Sequence, residues 1–144
     1  FCFNYIQMMN KSTIAIKLLL ILTLLLALFH VGISLQFIST EVAWGGRVKN
    51  VQQLYIVETI AFLVIGFFLF VLLMKANYVQ QYLSIKLIDS VLKFFLFFFL
   101  MNTVGNLLST SITEKLLSIA TALFSILLAQ VIYPFKKKNK HAIS

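Results

Sequence analysis

No acid, lysine or arginine occurs between Lys17 and Glu41, between Glu58 and Lys75, between Lys93 and Glu114, or between Lys115 and Lys136. The gaps are filled by runs such as LLLILTLLLALF and IAFLVIGFFLFVLLM. About 20 consecutive apolar residues suffice for a helix to cross the hydrocarbon of a bilayer. Lipid offers no partners to backbone amides and carbonyls, so each run must be a helix or part of a closed barrel. Apolarity that continues without alternating at every second residue decides for helices. The sequence therefore predicts four transmembrane helices at about 14–37, 54–74, 87–108 and 113–133, each near the length a bilayer requires. Together they nearly use up the 144 residues and leave no room for a soluble domain. The expected fold is all-α, a polytopic integral membrane protein built as one four-transmembrane-helix bundle over 1–144, with 134–144 as a basic cytoplasmic tail.

The bulk composition agrees. The chain is 61% hydrophobic and 11% charged, with a mean hydropathy of +1.00, whereas soluble domains are about 45–50% apolar and roughly 25% charged. A net charge of +8 would suggest nucleic acid in a soluble protein. Here the lysines fall at the ends of the apolar runs, so no nucleic-acid partner is expected. Their predicted partners are the bilayer and its anionic lipid headgroups at the cytoplasmic face. Lys11, Lys17, Lys75, Lys86, Lys136, Lys137, Lys138 and Lys140 belong to one side, against Arg47, Lys49 and Lys115 on the other. The excess of positive charge marks the inner side, which puts both termini in the cytoplasm. Tyr78, Tyr82 and Tyr133 suit an interfacial aromatic belt.

Cys2 is the sole cysteine. That excludes an intramolecular disulfide, a CxxC pair and the thiol chemistry of four-helix membrane oxidoreductases. No cofactor and no metal site are expected. The opening FCFNYIQ precedes Met8 and Met9, and MNKSTIAIKLLL reads as a natural start. The first apolar run is too long for a signal peptide and lacks a small-residue exit, so it reads as a retained helix. The abundance of Lys, Asn, Ile and Phe suggests an AT-rich bacterial genome, and hence a bacterial cytoplasmic membrane.

Ionisable side chains inside a bilayer cost at least a few kcal/mol and need a partner, an escape route or a function. Asp89 and Lys93 stand four apart at the inner start of the third helix, a spacing that predicts a structural ion pair. His30 lies inside the first helix on a polar stripe with Thr23, Ser34 and Glu41, which should face the bundle interior. Glu58 lies near the start of the second helix, where the helix dipole favours an acid. Ser111-Ile112-Thr113-Glu114 fits a capping box. Asn102 and Asn106 share a face at the outer end of the third helix, with Gly105 between them for close approach. Gly66, Ser118, Ala122 and Ser125 read as packing positions.

Each of these residues has an ordinary packing explanation. With this threading, however, His30, Glu41, Arg47, Glu58, Asn102, Asn106 and Glu114 all fall in the outer half, contributed by all four helices. The connection EVAWGGRVKN would then be a lid. Its glycines permit a tight fold-back, Trp44 plugs the mouth or sits in the aromatic belt, and Arg47 pairs with Glu41 or Glu58. The expected ligand-binding set is His30, Glu41, Trp44, Arg47, Glu58, Asn102, Asn106 and Glu114. It would line an outward-facing polar cavity that binds or transports a small polar, ionic or lipidic ligand. One alternative is a non-catalytic accessory subunit, packed through its Phe-rich surfaces against a larger membrane complex or further copies of itself. Another is an intramembrane enzyme using His30 with Glu41 or Glu58 as acid and base. No nucleophile elbow, zinc-protease motif or phosphate loop supports catalysis.

Overall fold

The computed structural model describes residues 2–134, with side chains from residue 12 onward. The expected basic tail beyond Pro134 and the side chains of Lys11, Met8 and Met9 lie outside the described residues. Five helices follow one another: α1 Cys2–Ser34, α2 Thr40–Trp44, α3 Val51–Lys75, α4 Ile85–Leu108 and α5 Ile112–Ile132. Four are long and apolar enough to cross a membrane, α1 through its Ser12–Ser34 portion. The chain is an all-helical, multi-pass membrane protein.

α1 begins twelve residues before its expected start, although its membrane-crossing portion begins at Ser12; the other ends differ from the expected ones by a few residues, and local chemistry explains several of them. α1 stops at Ser34 because Gln36 adopts a left-handed conformation at φ 61°. The N–H groups of Phe37 and Ile38 then turn back to the Gly32 carbonyl at 2.9 and 3.1 Å. α3 begins earlier than expected because the Asn50 side chain caps it, accepting a bond from the Gln53 N–H at 2.8 Å. Ser84 caps α4 in the same way, accepting from the Leu87 N–H at 3.3 Å. These are N-cap residues of the favoured type, each satisfying an orphan donor of the first turn.

The four long helices close a ring in the order α1, α3, α4, α5, with the most extensive contact between α4 and α5 and a final contact between α5 and α1. Short connections make chain neighbours antiparallel, so the two ends of the bundle differ. The lid end carries α2 and the α4–α5 connection. The opposite, terminal end carries the N-terminal part of α1, the α3–α4 turn and the end of α5.

The apolar core is concentrated towards the terminal end. Leu19 of α1, Val71, Leu72 and Met74 of α3, Ile88 and Leu92 of α4, and Leu128 of α5 are all sealed from solvent. Above them Phe68 packs on Phe95 at 4.5 Å between ring centroids, and Phe99 stacks on Phe124 at 4.7 Å. The Phe run of α4 is thereby divided: Phe95 and Phe99 point inward, while Phe94, Phe97 and Phe98 are exposed with most of the other large apolar side chains. An apolar exterior over every long helix is what a hydrocarbon solvent selects and water forbids.

Several expectations about packing require correction. Asp89 does not pair with Lys93. Its carboxylate accepts from the Lys75 ammonium at 2.6 Å across the α3–α4 turn, and Lys93 lies over the Tyr133 ring, 5.9 Å from its centroid. The i, i+4 spacing makes a pair available, but the turn brings a lysine from the neighbouring helix closer. Gly66 and Gly105 are exposed, and a Cβ at either would meet nothing within 4 Å, so neither is a point of close helix approach. Ser118 and Ser125 are buried as expected, each donating to a carbonyl of its own helix. One interhelical polar contact had no counterpart in the sequence reading: the Thr103 and Thr121 hydroxyls meet at 2.9 Å between α4 and α5.

Candidate functional site

Glu58 lies two turns inside α3, beyond the first-turn position expected for it. Only 2% of it is exposed. An acid at that depth gains little from the helix dipole, which acts over the first turn, so side chains from elsewhere must satisfy it. The two carboxylate oxygens have separate partners. His30 of α1 approaches Oε2 through Nδ1 at 2.9 Å, and the indole Nε1–H of Trp44 donates to Oε1 at 2.8 Å. When Glu58 is ionised it can only accept, so Nδ1 must carry a proton, in either the neutral or the cationic ring.

Three segments are thus tied at one carboxylate: α1 through His30, α3 through Glu58, and the lid through Trp44. Rings surround the tie. The His30 centroid lies 5.7 Å from that of Phe29, 6.3 Å from Trp44 and 6.3 Å from Phe62, each pair edge-to-face. One turn beyond His30 on the same face of α1, the Ser34 hydroxyl is buried without a hydrogen-bond partner.

The lid is built by local rules. Ser39 starts α2, its hydroxyl accepting from the Glu41 N–H at 3.3 Å, and Gly45 ends it in the left-handed region at φ 55°. Gly46 follows at φ 75°. Two successive positive φ angles are cheap for glycine and strained for other residues, and they turn the chain back after a single helical turn. Gly45 also lies against α5, where a Cβ would push the Glu114 carboxylate aside. The lid therefore rests on α5 while bonding to α3.

Glu114 is an acid in the first turn of α5, but the capping box is not made. Ser111 is the N-cap residue without a side-chain capping bond, and its own N–H donates to the Ser109 hydroxyl at 3.0 Å. The Glu114 carboxylate lies against the lid instead of reaching back to the cap.

Of the eight expected ligand-binding residues, the structure joins His30, Trp44 and Glu58 directly and sets Glu114 beneath the lid. The other four stand apart. Glu41 is exposed in the first turn of α2. Arg47 is exposed beyond the two glycines, and among the described residues neither it nor Glu41 forms an ion pair. Asn102 and Asn106 are half-buried on α4 and make no bond to the Glu58 cluster. Beside the lid, a cleft of about 330 Å³ opens between the turn after α1 and the start of α3, lined by Gln36, Ser39, Thr40, Lys49, Asn50 and Leu54 among others. Its lining includes none of the eight expected residues. Leu54 nevertheless precedes Glu58 by one turn on the same face of α3, so the cleft and the buried acid are neighbours. No group of three or more His, Cys, Asp or Glu side chains with metal-holding geometry occurs among the described residues. No protein-family model, curated protein or solved structure matches this chain.

Proposed function

We propose that this protein binds or carries a small polar, ionic or lipidic ligand at Glu58, reached from the lid end through the cleft beside α2. One observation carries the reading: a carboxylate 2% exposed inside a membrane-crossing helix is held by two side chains from other segments, one of them on a five-residue lid. Burying an ionisable group at that depth costs at least a few kcal/mol. Packing alone would be served more cheaply by a leucine. The lid has no buried residue of its own, so it can lift without breaking the apolar core. The lysine asymmetry supports a lid end facing outward, with both termini on the cytoplasmic side of the membrane.

The test is mass spectrometry of the full chain purified in mild detergent. The expected result is a small molecule retained at a stoichiometric level by the wild type and lost from Glu58→Gln at unchanged elution volume. The same molecule on both proteins, or none on either, overturns the reading. Orientation is checked separately. In a Cys2→Ser background, Val48→Cys should react with a membrane-impermeant maleimide added to intact cells.

A second reading, an accessory subunit of a larger membrane complex, is favoured by the outward ridge of Phe94, Phe97 and Phe98 on α4. It predicts a stoichiometric larger partner in a mild-detergent pulldown, lost when Phe97 is replaced by Leu.

A further inference from the structure

Resting on that reading, the chemistry around Glu58 narrows the ligand to one class. Among the described residues no lysine or arginine pairs with Glu58; its partners are one imidazole and one neutral indole. Whenever the imidazole is neutral, an ionised Glu58 has no cationic partner, and a buried charge requires one. Its partner His30 is in turn ringed by Phe29, Trp44 and Phe62, with centroids 5.7 to 6.3 Å from that of the imidazole. Phe62 follows Glu58 by one turn and so shares its face of α3. Aromatic faces carry partial negative charge and attract cations, most strongly where water is excluded. An anion would meet the carboxylate at close range, and a neutral molecule would gain nothing from its charge.

We infer that the site takes a lipophilic ammonium, a cationic amine carrying an apolar chain or ring. Its N–H replaces the indole N–H of Trp44 at Oε1, so no acceptor is left unsatisfied. Trp44 is free to make that exchange because it is half-buried on a lid without buried residues. The displaced indole and the half-buried Phe62 flank the cation, and its apolar chain lies against the lipid-facing side chains of the bundle.

Trp44 is the only tryptophan in the chain, so its fluorescence reports on this exchange directly. The experiment titrates the purified full-length protein with octylammonium, octanol and octanoate, which share one chain and differ in head-group charge. A saturable change in Trp44 emission is expected for octylammonium alone. Glu58→Gln should weaken it at least about tenfold, as loss of a charge-assisted bond requires. Phe62→Leu keeps the carboxylate, the lid bond and an apolar side chain of similar bulk, and should weaken it about three- to fivefold through loss of a ring face. Saturation by octanol or octanoate without octylammonium overturns the cation assignment and leaves a ligand site in place. Equal affinity for octylammonium and octanol, or undiminished binding by both variants, overturns it as well. A flat titration with all three compounds also overturns it, while the copurified-ligand measurement decides separately whether the site binds anything.

Discussion

Replacing Trp44 by Phe removes the indole N–H together with one ring of the bicycle, leaving Glu58 Oε1 without its donor at a site 2% exposed. An unsatisfied buried acceptor costs roughly 1–3 kcal/mol in water-soluble cores, whereas interhelical bonds within membranes average about 0.6 kcal/mol. The lid can tilt to let other donors in, so the lower end applies. Trp44→Phe should destabilise the folded bundle by about 1 kcal/mol in a denaturant titration. Gly45→Ala should cost more, because it puts a side chain in the left-handed region; the Glu114 carboxylate beside it ends a flexible side chain and can swing aside. A non-glycine residue in that region costs roughly 1–2 kcal/mol. Adding Glu114→Ala to Gly45→Ala should therefore recover little of the loss, because the backbone part dominates, a separation that the two-variant thermal melts read directly. By contrast, the Lys75–Asp89 pair is 20% and 34% exposed. Asp89→Asn should change stability by only about 0.2–1 kcal/mol, the range of exposed ion pairs.

Capping gives a paired prediction at the level of helices. Asn50 bonds the Gln53 amide at 2.8 Å, so Asn50→Ala should destabilise by about 1 kcal/mol. Ser111 makes no such bond, so Ser111→Ala should be nearly neutral in the same measurement. The sequence alone suggests the reverse emphasis, since S-x-x-E is the more recognisable signature. The four membrane-crossing spans were legible to within a few residues because charge placement and apolar length report directly on a bilayer, whereas the N-terminal extension of α1 and the short α2 were not. What could not be read was how each helix is rotated. In water, a core-facing stripe stands out against a polar surface; in lipid, the outward face is as apolar as the core. Phe94 and Phe95 are chemically identical, yet one is 65% and the other 4% exposed. Depth along the helix survived this loss, which is why His30 and Glu58 were placed at the same level. Direction around the helix did not, so Arg47 and the asparagines were wrongly expected to converge with them, and Asp89 was given the wrong lysine.

For the whole molecule, a core concentrated at the terminal end predicts uneven stability. Amide exchange in detergent should be slowest around Leu72, Leu92 and Leu128, and faster by orders of magnitude in α2 and the first turn of α3. Uniform protection along all four long helices would contradict that distribution. The ring also has one joint that the polypeptide never crosses. α1 is connected to α3 through the lid, α3 to α4 at the terminal end, and α4 to α5 at the lid end, but α5 meets α1 by packing alone. A joint of this kind is held by side-chain packing and by the lid, which spans it from α1 to rest on α5. Gly45 resting on Glu114 is the stitch at the top of that seam.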